Sequence, residues 1–394
     1  MWPLIHNSVL SIERRSNGIE CKESLIISHV RFYDAGAPMS NTQARMPLVW
    51  LLKGPKAGDY AQLQMLARTL GVAVVTKQLV FKQWELLLHA FPRPTLAALD
   101  RAASDLLEAP WPDLVLTAGR RNELVARWIR DASGGRTRLV HVGRPWSNPA
   151  RFDLVVSNRQ YLLGASDRVI VNDLPLTDLN ETTLAGERAA WGAKWAHLPR
   201  PWTVLLVGGD SGPLVFAPPH ARRLAHLVNE RVAHRQGSLL LTTSGRTARN
   251  SADALCAELS APGIVNRWPS TDANPYRGLL ACGDEFIVTA DSMSMLAEAC
   301  ATGKPVYLFD YSDTARGWRS RSAYRWKPLV HRLAMLIGPM RMRRDVRRIH
   351  TALLDAGRIR HLDTQHDGPI DTTRLTASKE LVLTATRVRT LLDS

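Results

Sequence analysis

The stretch EFIVTADSMSMLAEACATGKPVYLFD, residues 285–310, decides the fold. EFIVTAD (285–291) is a short, mostly apolar run of the kind that forms a strand buried on both faces. Ser292 and Ser294 follow, and Met295, Leu296, Ala297, Ala299 and Ala301 continue as an apolar helical pattern. Gly303-Lys304-Pro305 closes that helix and opens PVYLFD (305–310), the next strand. Strand, helix and strand in succession predict parallel pairing, because parallel neighbours need a crossover between them. One carboxylate, Glu298, stands on this helix four residues after Ser294, so the two share a face.

The same alternation runs outward in both directions. Strands are predicted at PLVWLL (47–52), VAVVTKQLVF (72–81), PDLVLTAG (112–119), TRLVHVG (137–143), FDLVVSN (152–158) and RVIVN (168–172), with helices at 60–71 and 122–132. After LPRPW (198–202), which reads as a linker, a second series begins. It comprises TVLLVGGDSGP (203–213), the amphipathic helix 220–234, SLLLTTSGRT (238–247), the helix 250–260, GIVNRW (263–268) and the opening stretch. Strands alternating with helices predict an α/β fold with parallel sheets covered on both faces. The expected organisation is one domain over 46–200 and a second over 201–370. A cleft between them would be lined by the carboxyl ends of the strands, where open α/β sheets bind ligands. Residues 1–45 carry no sustained period and read as an extension outside the core, from an early start codon or as a flexible arm. Residues 371–394 end in a helix expected to pack back across the domains.

The bulk composition narrows the partners. A chain of 394 residues, 45% hydrophobic and 22% charged, is a globular protein too long for one ordinary core. The net charge of +15 implies an anionic partner: a phosphorylated substrate, an acidic membrane face or nucleic acid. The four cysteines form no CxxC pair, so neither a zinc site nor a disulfide framework is indicated. No apolar run approaches the roughly 18 residues of a membrane span, and no signal-peptide core is seen. The expectation is a cytoplasmic protein, peripheral where it meets the inner membrane. Residues 316–348 hold eleven Lys or Arg against one acid, with Trp318, Tyr324 and Trp326 among them. That mixture suits an anionic lipid surface, a nucleic-acid face or a plain solvated helix. No nucleic-acid-binding motif accompanies it, which makes nucleic acid the weaker partner. No HExxH or paired-histidine spacing occurs, so no metal is predicted.

Several strand-end loops could carry chemistry. A helix N-terminus at Ser292, Met293 and Ser294 offers free N–H groups and partial positive charge to a diphosphate. One turn further in, Glu298 can accept two hydroxyl hydrogen bonds from a ribose; read plainly, it is a surface acid on a capped helix. Gly208, Gly209 and Ser211 form one glycine-rich turn, and Ser244 with Arg246 forms another, both open to close approach by phosphate. In the first half, the loop after the first strand holds Lys53, Lys56 and Asp59. Asp59 reads either as the cap of a helix starting near Tyr60 or as a general base for an acceptor hydroxyl. Arg120 and Arg121 stand at another strand-to-helix turn, as phosphate contacts or as solvated side chains.

Taken together, WLLKGPKAGDYAQ, PDLVLTAGRRN, VHVGRPW, FDLVVSNRQY, VLLVGGDSGP, TTSGRT and NPYRGLLACGDEFIVTADSMSMLAEACATGKPVYLFD resemble the ELM1 (mitochondrial fission ELM1-like) family. Bacterial members of that family look like GT-B glycosyltransferases. The resemblance covers about residues 47–340. It implies two Rossmann-like domains facing across a cleft, with a nucleotide-sugar site in the second. The position of the ribose-binding acid matches Glu298, and that of the first-loop base matches Asp59. The peptidoglycan-type enzymes carry Gly-Gly-His in that loop, and this chain does not. The implied function is metal-independent transfer of a sugar from a nucleotide-diphosphate donor to an envelope or lipid-linked glycan acceptor, with no further cofactor. Two alternatives follow from the same resemblance. One is a non-catalytic adaptor, as the plant members look to be; the other is a nucleotide-sugar epimerase or hydrolase.

Overall fold

The computed structural model describes residues 46–84, 93–211, 214–271, 273–311, 343–362 and 376–393, together with positions 333, 336 and 337. Residues 1–45, residues 212 and 213 of the glycine-rich turn, residues 371–375 of the tail and most of the basic stretch up to position 342 lie outside the described residues.

The described residues from Met46 onward form one compact unit built on two six-stranded sheets, every described pairing within them parallel. The first sheet takes β1 (Val49–Lys53), β2 (Val74–Gln78), β3 (Leu114–Ala118), β4 (Arg138–Val142), β5 (Leu154–Asn158) and β6 (Val169–Asn172), in the order β2-β1-β3-β4-β5-β6. The second takes β7 (Trp202–Gly209), β8 (Ser238–Arg246), β9 (Gly263–Asn266), β10 (Glu285–Thr289), β11 (Val306–Phe309) and β12 (Arg360–His361), in the order β12-β11-β10-β7-β8-β9. Each sheet grows outward in both directions from its first strand. This is the doubly wound, Rossmann-like pattern, and it creates a topological switch point in each sheet: between β1 and β3 in the first, and between β7 and β10 in the second.

The apolar runs are continuous because both faces of each strand are covered. On β7, Val204 and Leu206 face one core while Leu205 and Val207 face another. On β1, Val49 and Leu51 divide from Trp50 and Leu52 in the same way. The covering helices are α1 (Ala57–Leu70), α2 (Gly119–Ala132), α3 (Glu181–Trp195), α4 (Pro218–Arg235), α5 (Arg249–Glu258), α6 (Tyr276–Cys282), α7 (Met293–Ala301), α8 (Arg347–Asp355) and α9 (Thr376–Leu392). The terminal helix α9 returns to the first sheet, burying Leu381, Ala385 and Val388 in the same core as Leu63 and Leu66 of α1. Burial of each such leucine or valine contributes about 1.5–3 kcal/mol. Arg389 of α9 also donates to the carbonyls of Thr69 and Leu70, which α1 leaves open at its C-terminus.

Two helix starts differ from the sequence reading, and both differences bear on the site. The helix α1 begins at Ala57 rather than near Tyr60, so Asp59 is its third residue and not its cap; Lys56 holds the cap position and makes no side-chain cap. The helix α2 begins at Gly119, which places Arg120 and Arg121 inside its first turn. Gly119 has φ +73°, in the left-handed region where a residue without a β-carbon is favoured.

Candidate functional site

The carboxyl ends of β1 and β3, at the first switch point, border a cavity of about 340 Å³. Its wall includes Lys56 and Asp59 from the start of α1 and Arg120, Arg121 and Asn122 from the start of α2. Lys53 lies beside it, its ammonium 5.1 Å from the ring centre of Tyr60. The Asp59 carboxyl packs against the Cα of Gly119, where a β-carbon would come within 3.0 Å of Oδ2. Burial raises the Asp59 carboxyl above the usual carboxylate range, and the charges of Lys56 and Arg344 oppose that rise.

The surroundings of α2 hold this corner rigid. Asn122 Nδ2 donates to the carbonyl of Leu52 at 2.9 Å, tying α2 to the end of β1. Glu123, almost wholly buried, accepts from the backbone N–H of Trp146 at 2.5 Å, and from both the N–H and hydroxyl of Ser147 at 2.9 Å. That anchors the loop after β4, and Arg120 lies over the Trp146 ring at 5.0 Å.

The second switch point is knit more tightly. Asp291, just beyond β10, is 1% exposed and is enclosed by polar groups. Thr289 donates its hydroxyl to Asp291 Oδ1 at 2.7 Å, and Arg246 Nη1 stands 3.0 Å from Oδ2 as an ion pair. Burial raises the Asp291 carboxyl, against the pull of Arg246. The turns after β7 and β8 interlock: the hydroxyls of Ser244 and Thr247 donate to the Gly208 carbonyl, Asp210 N–H donates to the Arg246 carbonyl at 3.0 Å, and Arg246 Nη1 donates to the Asp210 carbonyl at 2.9 Å. Gly208 is needed there for close approach, since a β-carbon would lie 2.8 Å from both Cγ and Oδ1 of Asp291.

At the start of α7, Ser292 occupies the cap position and is buried, and its hydroxyl makes no cap bond. Met293 is buried in the core, whereas Ser294 is exposed. Glu298 is half-buried and accepts a hydrogen bond from the hydroxyl of Tyr276, the first residue of α6. Burial pushes the Glu298 carboxyl up to about 7; the Tyr276 hydroxyl and Arg277 oppose the rise, and Asp178 reinforces it. Asp178 lies in the segment after β6 and pairs with Arg277 of α6 at 3.2 Å and with Arg68 of α1 at 3.8 Å. Glu298 therefore stands beside an ionic cluster that joins helices of both sheets.

A second link between the sheets is Arg344. Its Nε donates to Gln160 Oε1 at 2.7 Å, just beyond β5, and its Nη1 reaches Ser211 Oγ, just beyond β7, at 3.4 Å. Its charge bears on Asp59 and on the buried Tyr161 hydroxyl. One guanidinium thus faces the loop ends of both sheets.

The sequence-predicted residues fall into two groups. Lys56, Asp59, Arg120 and Arg121 border one cavity with Lys53 beside it, and Gly208, Gly209, Ser244 and Arg246 gather around Asp291, two residues before the start of α7. Ser211 is drawn to Arg344, and Glu298 to Tyr276. Sequence reasoning passed over Asn122, Tyr276, Asp291 as an ion-pair partner, and Arg344. Tyr276 and Glu298 are far apart in sequence, so no spacing signals their contact. Arg344 is one cation among eleven in its stretch.

Among the described residues no helix is long and apolar enough to cross a membrane, and no three His, Cys, Asp or Glu side chains gather as a cation site.

Comparison with known proteins adds relatives to this geometry. The mitochondrial fission protein ELM1 of Arabidopsis thaliana is 30% identical over 229 residues, covering 52% of this chain. The matched part spans about half of that relative, 53% of its length. The protein RP120 of Rickettsia prowazekii (strain Madrid E) is 23% identical over 301 residues, 66% of this chain and 82% of the relative. Among solved structures, a UDP-glucosyltransferase from Polygonum tinctorium aligns over 90% of this chain and 100% of its own, at 11% identity and a TM-score of 0.46. A UDP-GlcNAc 2-epimerase from Neisseria meningitidis aligns over 88% and 99%, at 14% identity and a TM-score of 0.42. The MurG of Acinetobacter baumannii aligns over 88% and 98%, at 12% identity and a TM-score of 0.42. The family model described as Mitochondrial fission ELM1 matches residues 57–390, nearly the whole of both sheets and the terminal helix, and the chain belongs to that family.

Proposed function

We propose that this protein is a GT-B-type glycosyltransferase. It takes a nucleotide-diphosphate sugar and passes the glycosyl group to an envelope or lipid-linked glycan acceptor. The observation that carries this reading is the pairing of the two switch points. A half-buried acid, Asp59, stands in a cavity at one of them, and Arg344 reaches from its neighbourhood to Ser211 at the other. In the reaction an acceptor hydroxyl attacks the anomeric carbon of the donor and loses its proton to Asp59. The bond from that carbon to the diphosphate breaks as the new bond forms, and the nucleoside diphosphate leaves with the electron pair. A carboxyl raised above its ordinary range is a better base at neutral pH, since its conjugate acid is closer to the working pH. Negative charge growing on the leaving group would be met by the N–H groups at the start of α7 and by Arg344, without need of a metal ion. Glu298 would exchange the Tyr276 hydroxyl for the two ribose hydroxyls.

The test is binding of UDP, GDP and CMP to the full chain by thermal shift, followed by turnover of the labelled nucleotide sugar. Asp59→Asn is expected to lower turnover about 100-fold or more, in the range of general-base removal, with nucleotide binding intact. Glu298→Ala is expected to weaken nucleotide binding by about 1.5–3 kcal/mol, as for a hydrogen bond to a charged group. Failure of all three nucleotides to stabilise the protein overturns the proposal.

A second reading, a non-catalytic adaptor, draws on the closed state of the second switch point, where Arg246 is engaged by Asp291 and Glu298 by Tyr276. It predicts no turnover of any nucleotide sugar and capture of a protein partner instead.

A further inference from the structure

In the cavity at the first switch point, Asn122 has a hydrogen-bonding capacity that the fold leaves unused. It lines the wall and is 2% exposed, and its Oδ1 has no hydrogen-bond partner. Its Nδ2 donates to the Leu52 carbonyl, which fixes the amide and makes the oxygen the group left over. A buried acceptor without a donor is costly to leave so. Gly54 faces this amide, and a β-carbon there would stand 3.1 Å from Oδ1, so the bare backbone keeps a side chain off it. Asp59, half-buried, is a second acceptor on the same wall.

The charges around the cavity are matched within the chain. Lys56 and Arg344 offset Asp59, and Arg120 and Arg121 both have partners, Arg120 lying over the Trp146 ring. The first turn of α1 holds Asp59 itself, so that helix start already faces a carboxylate. An external anion would stand beside that carboxylate with no cation set aside for it. A cation would meet Lys56, Arg120 and Arg121 instead. A purely apolar ligand would leave Asn122 Oδ1 unpaired. The two acceptors call for neutral donors, which are hydroxyl groups. Leu52, Pro55, Tyr60 and Leu63 make the rest of the wall apolar, which suits the C–H groups of the carbon frame that carries them.

We infer that this cavity takes the uncharged ring of a sugar, with one hydroxyl donating to Asn122 Oδ1 and another to Asp59, and that Asn122 is the residue that selects it. Two acceptors on separate helices need two donors on one compact frame. A simple alcohol satisfies one of them and leaves the other. A volume of about 340 Å³ lies at the small end of ligand pockets and suits a single ring. The role of that ring as the glycosyl acceptor rests on the transferase reading; its binding does not.

The experiment is an NMR-monitored titration of the full chain with the methyl glycosides of glucose, galactose and mannose, set against methyl glucuronide and glucose 6-phosphate as charged counterparts. At least one neutral hexoside is expected to bind about tenfold or more tightly than both charged sugars, because a charge brought into the apolar cavity loses its hydration. Asn122→Ala removes the acceptor, and Gly54→Ala fills the space beside it and leaves the Leu52 bond in place. Each is expected to weaken that hexoside about three- to tenfold, the scale of one hydrogen bond, with thermal melting showing that the variant is folded. Binding by none of the three hexosides, a charged sugar bound as tightly as the best of them, or an affinity undiminished in both variants overturns the inference. UDP binding is read in parallel on the same protein. A hexoside bound without UDP sinks the transferase reading and leaves the sugar site standing, and UDP bound without a hexoside sinks the site alone.

Discussion

Gly208→Ala is the sharpest perturbation of the second switch point. A β-carbon at position 208 would lie 2.8 Å from Asp291 Cγ and Oδ1, and nearer still to Oδ2. Unstrained carbon–oxygen contacts lie at about 3.3–3.6 Å, so the carboxylate must retreat by more than half an ångström. It has nowhere to go without cost, since Oδ1 is held by the Thr289 hydroxyl at 2.7 Å and Oδ2 by Arg246 at 3.0 Å, and the residue is 1% exposed. Overpacking alone costs about 1–3 kcal/mol. Losing the partner of a buried charge raises this to about 3–5 kcal/mol, so the expected destabilisation is about 3–4 kcal/mol. The assay is urea unfolding of the full chain, read as a fall in midpoint at unchanged slope. Asp291→Ala shortens the side chain that clashes, so the double variant should be more stable than the sum of the two single effects by at least about 1 kcal/mol. A Gly208→Ala protein within about 0.5 kcal/mol of the parent, or strict additivity in the double variant, refutes the reasoning, for the carboxylate would then not be pinned where the geometry puts it.

Other consequences concern titration and the far end of the second sheet. Glu298 has a folded pKa of about 7 against 4.5 for the ordinary side chain, so the folded state binds the extra proton between those values. Stability should therefore fall as pH rises from about 5 to 7, by at most about 3 kcal/mol, and Glu298→Gln should flatten that limb of a urea-midpoint profile. If Glu298 grips a ribose as carboxylate, nucleotide affinity measured by titration calorimetry should rise over the same interval. His141 has the opposite sign: burial lowers it to about 3, so the unfolded chain takes up the proton first and stability is lost as pH drops below about 6.5. Replacing His141 with Gln should reduce that acid lability in the same midpoint series. At the other end of β10, Arg231 makes two hydrogen bonds to the buried Glu285, at 2.8 and 2.7 Å. Arg231→Ala should cost about 3–5 kcal/mol by urea unfolding, while replacing both partners with Met and Leu should recover most of that loss.

The parts of the fold legible in the sequence were those that burial makes repetitive. Strands such as LLV in β7 and FIV in β10 are apolar without interruption because alternate residues serve two different cores. Of the helices that escaped notice, α6 is heavily buried but only seven residues long, too short to show a period, and two others lack that pressure. In α3 only Leu184 and Trp195 are buried, too few to mark a period over fifteen residues. In α8, Ile349 and Leu353 form the buried stripe, but they sit in a segment where the eye follows charge. The site divides in the same way. Loop positions at strand ends can be located from the alternation alone, which is how Asp59, Gly208 and Ser292 came forward. Their partners could not, because Tyr276 reaches Glu298 from another helix and Arg344 reaches Gln160 from the far half of the chain.

Gly208 shows what this difference means for inference. A glycine after a strand signals only that something must come close to the backbone, and a phosphate and a carboxylate side chain satisfy that signal equally well. Here the chain supplies its own anion, Asp291, and its own cation, Arg246, at that position. At the first switch point the chain supplies cations and uncapped helix starts, and Asn122 Oδ1 is left without a donor. The first turn of α1 there carries an acid of its own, Asp59, whose charge Lys56 and Arg344 offset. Gly208 is thereby accounted for within the chain, and the buried acceptor at Asn122 is not.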